Sequence, residues 1–211
     1  MGSSIDYADR WSASAIYPAG DARAVSRQQT MFVVGRIVTP RRECVCLVRN
    51  ISSAGVGVEH EGELPIETEV TIETRTMWPT RAIVRWSTGN AAGLEFLEPP
   101  RTLSAATLAA QGQLCTPRSP RFALTCDAQL TIGDLRVSAR TSDIALGGLK
   151  LTNLASDLPT VAARVELHDL GRVIAGRIRW YCAASAGFQF ITPLTSHDLA
   201  VMLDPSQRAV Q

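Results

Sequence analysis

The chain has 211 residues, a length typical of one large domain or two small ones. A hydrophobic share of 45%, a charged share of 19% and the lack of any apolar run of about 18 residues exclude wholesale disorder and a membrane-spanning segment. The 21 basic and 20 acidic residues give a net charge of +1, which excludes the strongly basic footprint of a general nucleic-acid binder, so we expect no DNA or RNA partner.

The chain is predicted to begin with a flexible tail over residues 1–22, where hydrophobic periodicity is weak. This segment lacks the basic start and apolar stretch of a secretory signal, and the five cysteines are odd in number. Both features favour a reducing, cytoplasmic location.

From residue 31 the pattern changes to short β-branched runs separated by turn residues: MFVVGRIV, ECVCLVRNI, GVGVEH, TEVTIET, TRAIVRW and AGLEFLEP. Short strands at this spacing predict a small all-β barrel or sandwich. A short helix is predicted from Thr102 to about Gln113, with Ser104 as a candidate N-cap.

The same pattern then occurs a second time. TRAIVRWSTGNAAGLEFLEP aligns without gaps with IAGRIRWYCAASAGFQFITP, and this places Trp86 and Trp180 94 residues apart. Upstream, RNISSAGVGVE aligns with SDIALGGLKLT at a shift of 93. A period of this length predicts two copies of one all-β domain, over 23–113 and 114–211. The second copy is predicted to end in a helix from Ser196 to about Leu203, with Ser196 as its N-cap.

Enzymatic and metal-binding patterns are not found in the sequence. There is no G-x-G-x-x-G, Walker loop, G-x-S-x-G or H-E-x-x-H, and the three histidines stand far apart. Cys44 and Cys46 fall at strand spacing, which favours buried thiols over zinc ligands. We therefore expect neither catalysis nor a metal site.

Two short motifs stand in order around the first strand of the first copy. Arg23 and Arg27 form R-x-x-x-R, and Asn50, Ser52 and Gly55 form N-x-S-x-x-G. Their order and spacing, followed by alternating strands, resemble the PilZ family. The resemblance implies two tandem six-stranded β-barrels, each with a C-terminal helix, and a binding site for the bacterial second messenger cyclic di-GMP formed by these five residues.

The chemistry of the ligand suits these residue types. Cyclic di-GMP presents two phosphates and two guanines, and a guanidinium group can hold a phosphate or the O6/N7 edge of guanine with paired hydrogen bonds. A side-chain oxygen and a hydroxyl suit guanine N–H groups, and a glycine permits close approach of the backbone. Solvated arginines and an ordinary Asn-Ser-Gly turn remain the alternative interpretation.

The second copy carries an incomplete motif. Asp143 and Gly148 are kept, but Ala145 stands where Ser is expected, and Arg118 and Arg121 are three residues apart instead of four. A structural or partner-binding role is favoured for this copy, and a weaker nucleotide site at Arg118, Arg121, Asp143 and Gly148 is left open.

Several residues near the tryptophans occur in both copies, and we interpret them mainly as structural. Trp86, Trp180, Phe96 and Phe190 are expected to fill the barrels or pack on the closing helices. Arg85 and Arg179, next to the tryptophans, could reach the ligand or face solvent, and the solvent-facing position is favoured. Arg41 and Arg42, in a turn after Pro40, are expected to be exposed.

The resemblance implies a cyclic di-GMP receptor without catalytic activity. Binding would order the arginine segment, change the arrangement of the barrels and so alter contacts with a protein partner, which in this family usually belongs to motility, surface attachment or exopolysaccharide systems. The alternative is a nucleotide-independent interaction scaffold of the same fold.

Overall fold

The computed structural model describes residues 29–102, 118–154 and 158–204. Its regular elements, numbered along the chain, are β1(Gln29–Val38), β2(Glu43–Ile51), β3(Gly55–His60), β4(Glu69–Thr74), β5(Thr80–Thr88), β6(Ala91–Phe96), β7(Phe122–Ala123), β8(Asp127–Ile132), β9(Leu135–Ala145), β10(Gly148–Thr152), β11(Ala162–Leu167), β12(Arg172–Cys182), β13(Ser185–Phe190) and α1(Ser196–Leu203). A 3₁₀ turn, His168–Leu170, joins β11 to β12. The all-β class and the tandem arrangement are confirmed.

Two closed, six-stranded antiparallel barrels make up the fold. Barrel 1 has the strand order β1-β2-β3-β6-β5-β4 and closes between β4 and β1. Barrel 2 has the same order in the second copy, β8-β9-β10-β13-β12-β11, and the two-residue β7 adds to β9 at its edge. The internal repeat is therefore present in the strand order as well as in the sequence.

Period-2 alternation places one face of each strand inside its barrel. In β11 the buried residues are Ala163, Val165 and Leu167, and the residues between them are exposed. Burying a side chain such as Val165 contributes about 1.5–3 kcal/mol, which makes these interior rows the main source of stability. Phe96 and Phe190 lie in the interior rows as expected.

Strand β2 of barrel 1 is buried on both faces. Cys44 and Cys46 face the core of barrel 1, whereas Val45 between them, only 6% exposed, belongs to the core cluster of barrel 2. Helix α1 packs against β2, and Ala200 borders a small cleft with Val45 and Cys46. The two barrels therefore share a packed interface along β2.

Polar contacts also cross this interface. Glu43 Oε2 accepts a hydrogen bond of 3.2 Å from the backbone N–H of Ala123 on β7, and its Oε1 lies 2.6 Å from the Arg36 guanidinium. Burial alone would raise the pKa of Glu43, but the hydrogen bonds from Arg36 and Ala123 outweigh it and hold this pKa below its ordinary value. At the exposed rim, His197 Nδ1 lies 3.3 Å from Glu61 Oε1.

Helix α1 spans Ser196–Leu203, as predicted, but its N-cap is Thr195. Thr195, in an extended conformation, accepts a hydrogen bond of 3.0 Å from the backbone N–H of Asp198, whose carboxylate in turn accepts from the Thr195 backbone. The prediction of Ser196 as N-cap is wrong because the side chain before it makes this reciprocal capping box. Thr102 forms an isolated bridge with Met77, and the helix expected after it, with Ser104, lies outside the described residues.

Within residues 29–102, 118–154 and 158–204 the structure has no helix of the length and hydropathy that a membrane crossing needs. The same ranges contain no cluster of three or more side chains suited to holding a metal ion. Burial raises the pKa of the Cys44 thiol to about 11, and full burial raises that of Cys46 further, so both thiols behave as core residues.

Candidate functional site

The corner between β2 and β3 brings together three of the first-copy candidates. The Ser52 hydroxyl accepts hydrogen bonds from the backbone N–H groups of Ala54 and Gly55, at 3.3 and 3.2 Å, and donates to the Gly55 carbonyl oxygen. A side chain at Gly55 would place its Cβ 2.4 Å from the carbonyl oxygen of Leu94 on β6. The Ser52 side chain thus stabilises this turn, and Gly55 allows the close approach to β6.

Asn50 lies beside that turn on the outer face of barrel 1. Its side chain covers Gly57 on β3, where an added Cβ would come within 2.8 Å of the Asn50 Oδ1 atom. Arg23 and Arg27, the remaining first-copy candidates, lie outside the described residues. The structure therefore places Asn50, Ser52 and Gly55 at one corner and leaves their meeting with the two arginines a prediction.

The matching corner of barrel 2 contains an ion pair. Arg121 binds the Asp143 carboxylate, whose other oxygen accepts a 3.2 Å hydrogen bond from the Ser142 hydroxyl. The pair forms because Ala123 on β7 is registered opposite Asp143 on β9, which brings the residue just before β7 onto the same corner. Ala145 pairs with Gly148 across a tight hairpin, so backbone pairing closes this turn without the hydroxyl of a serine.

An open cavity of about 220 Å³ lies at this corner of barrel 2. Arg118 and Arg121 both line it, so the spacing of three residues does not separate them. The other lining residues are Ser119, Ala145, Gly147, Gly148, Leu149, Arg179, Trp180, Gly187, Phe188 and Gln189. Three of the four second-copy candidates, Arg118, Arg121 and Gly148, therefore line one cavity, and the fourth, Asp143, is bound to Arg121.

A β-bulge supplies two residues that the sequence analysis did not assign to the site. On β12, Ile178 pairs with Phe188 and Trp180 pairs with Gly187, so Arg179 has no partner residue on β13. A bulge adds one residue to its strand and so re-aims the side chains that follow. Here Arg179 and Trp180 both become exposed and both line the cavity.

The expectation that Trp86 and Trp180 fill the barrels is wrong. Each indole lies across the glycine of the next strand, Gly93 or Gly187, where an added Cβ would stand 2.0 Å from the indole Nε1. Trp180 remains 42% exposed. The two glycines are the sequence signal for this arrangement, because they occur at matching positions opposite the tryptophans and leave room for a ring on the outer face.

Arg85 in barrel 1 occupies the same bulge position as Arg179. Its guanidinium binds Glu95 and lies 2.9 Å from Glu67 Oε1. The hydrogen bonds to Glu95 and Glu67 raise the pKa of the Arg85 guanidinium above its ordinary value. Arg85 is exposed as expected, but its charge is balanced by two carboxylates. Arg41 and Arg42 are exposed in the β1–β2 turn, as predicted.

Two closed barrels with the same strand order, joined in one chain, define a tandem β-barrel protein. Residues 116–204 match the family model of the PilZ domain. The match falls on the copy whose motif is incomplete. No curated protein matches the sequence.

Several solved structures are similar to the chain at low identity. PlzA of Borreliella burgdorferi in complex with c-di-GMP is 11% identical, with 82% of this chain and 86% of that chain covered and a TM-score of 0.35. The K. pneumonia MrkH–c-di-GMP complex is 12% identical, with 82% and 84% covered and a TM-score of 0.33. YcgR from Escherichia coli in complex with c-di-GMP is 13% identical, with 76% of each chain covered and a TM-score of 0.29.

Proposed function

We propose that this protein is a cyclic di-GMP receptor that passes the level of the second messenger to a protein partner. The observation that carries the proposal is the arginine-lined cavity at the corner of the PilZ barrel, residues 116–204. Its wall combines guanidinium groups with an exposed tryptophan and two adjacent glycines. These are the groups that a ligand with two phosphates and two guanines requires.

The cavity makes barrel 2 the stronger of two candidate sites. Arg118 and Arg121 supply guanidinium groups, Asp143 supplies a carboxylate for guanine N–H groups, and Gly148 leaves its backbone accessible. The second candidate is the corner of barrel 1, in which Asn50, Ser52 and Gly55 would act with two motif arginines, Arg23 and Arg27. The Ser52 hydroxyl is already engaged inside its own turn there, which favours barrel 2.

The shared interface supports a role in transmission. The segment that carries Arg121 runs directly into β7, and β7 donates a backbone hydrogen bond to Glu43 of barrel 1. A ligand that drew Arg121 away from Asp143 would act two residues from this contact. The energy available to rearrange the barrels is the difference in ligand affinity between the two arrangements. The output is a changed surface for a partner protein, with no chemical conversion of the nucleotide.

The four described cysteines are free, which fits a reducing compartment such as the cytoplasm, where we place the function. The expectations of no DNA or RNA partner and of no resident cofactor stay predictions.

Isothermal titration of the full chain with cyclic di-GMP tests the proposal. We expect a dissociation constant in the micromolar range or tighter. Arg121→Ala should weaken binding strongly if barrel 2 is the site, whereas Arg27→Ala should do so if barrel 1 is. Absence of heat at high ligand concentration would overturn the receptor function and favour the nucleotide-independent scaffold.

A further inference from the structure

The two bulge arginines are built alike but have different surroundings. Arg85 and Arg179 each precede a tryptophan that covers a glycine of the neighbouring strand, with the same 2.0 Å clearance at the glycine in both barrels. The backbone therefore presents the two guanidinium groups in the same way. Any difference in what they can bind comes from the side chains around them.

The carboxylates that neutralise Arg85 have no counterparts in barrel 2. Gly55 pairs with Glu95 in barrel 1, and Gly148 pairs with Gln189 in barrel 2, so an amide replaces the first carboxylate. On β5 the backbone N–H of Val84 donates to the carbonyl oxygen of the residue after Glu67, and on β12 the backbone N–H of Ile178 donates to that of the residue after Thr160. Thr160 therefore stands at the position of Glu67, and a hydroxyl replaces the second carboxylate. Within the described ranges, Arg179 has no ion-pair partner.

The charges around the cavity then do not balance. Arg118, Arg121 and Arg179 line it, and among the described residues only Arg121 has a carboxylate partner, Asp143. Lys150, the single lysine of the chain, is registered opposite Asp143 on the same outer face, where barrel 1 has Gly57. A concave surface with like charges attracts anions, and a bound anion would relieve their repulsion.

We propose that Arg179, outside both sequence motifs, is a third ligand-binding arginine that holds a phosphate of the nucleotide in barrel 2. The inference rests on the proposed function. Its planar fork can make two parallel hydrogen bonds to phosphate oxygens. Arg85 is the equivalent residue of barrel 1, but its guanidinium is bound by Glu67 and Glu95. Barrel 1 therefore offers no equivalent phosphate-binding group at the bulge.

Titration of the full-length protein with cyclic di-GMP tests this assignment with two complementary variants. Arg179→Ala removes the guanidinium, and we expect the dissociation constant to rise about 10- to 100-fold, as for loss of a hydrogen-bonded charge. Gln189→Glu restores the carboxylate that barrel 1 has at this position, and we expect a rise of about 10-fold. Both positions are exposed, so the melting temperature should stay close to that of the wild type.

Matched variants in barrel 1 serve as controls. Arg85→Ala and Glu95→Gln change the equivalent positions and should leave the affinity within about twofold of the wild type, a difference that corresponds to a small fraction of the binding free energy. Wild-type binding that survives both Arg179→Ala and Gln189→Glu would overturn this inference and leave the receptor function standing. No binding by the wild type would overturn both.

Discussion

Truncation of Val45 tests the packing between the barrels. Val45 is 6% exposed and lies on the outer face of β2, where the core cluster of barrel 2 covers it. Val45→Ala removes two methyl groups, at about 0.8 kcal/mol each for lost burial, and leaves a small cavity, so the free energy of unfolding should fall by about 2 kcal/mol. For a protein of 211 residues that unfolds as one unit, this loss lowers the melting temperature by about 4–8 °C.

Differential scanning calorimetry measures this change, and Val58→Ala provides the matched control. Val58 is 2% exposed and faces the interior of barrel 1, so its truncation removes the same atoms from a site that does not depend on the second barrel. We expect comparable losses from the two variants. A melting temperature for Val45→Ala equal to that of the wild type, with Val58→Ala clearly destabilised, would show that barrel 2 does not cover β2.

Three further predictions concern other parts of the molecule. Gly148→Ala should cost about 1–3 kcal/mol in urea unfolding, because its Cβ would stand 2.4 Å from a main-chain oxygen, whereas Gly147→Ala meets nothing within 4 Å and should be neutral. Burial lowers the pKa of His60, so the unfolded chain binds its proton more readily; stability should decline as the pH falls below about 6.5, and His60→Leu should flatten that profile. Thr195→Ala should cost about 1 kcal/mol in thermal unfolding, and a similar loss from Ser196→Ala would contradict the observed cap.

The sequence was sufficient to predict the strands and the duplication because both depend on local regularity. Alternation of apolar and other residues marks β3 directly, and the period of 94 residues implies that barrel 2 repeats barrel 1. The outward position of the tryptophans could not be read in the same way. A bulge adds one residue to β12 and reverses the face on which Trp180 lies, and alternation carries no sign of that insertion.

The candidate site was predicted in part. The sequence identified Arg118, Arg121, Asp143 and Gly148, and the structure gathers them at one corner of barrel 2. The sequence ranks this corner below that of barrel 1 because Ala145 stands where Ser is expected and the two arginines are three residues apart; which corner binds the nucleotide stays a prediction. The Ser52 hydroxyl of barrel 1, which occupies the equivalent position, is bound to its own turn, and in barrel 2 the backbone pairing of Ala145 with Gly148 closes the turn without a hydroxyl group. The packing of β2 against barrel 2 depends on tertiary contacts that no local pattern records.

The two barrels differ both in their match to the sequence motif and in the ion pairing of their bulge arginines. Ser52 and Gly55 match the motif, yet their contacts within the structure are those that shape a turn. We propose that anion binding depends instead on uncompensated positive charge at the bulge arginine. Glu67 and Glu95 pair with this arginine in barrel 1, whereas Gln189 stands at the position of Glu95 in barrel 2. On this proposal, the barrel with the eroded motif binds the phosphate more tightly, because its bulge arginine has no carboxylate partner among the described residues.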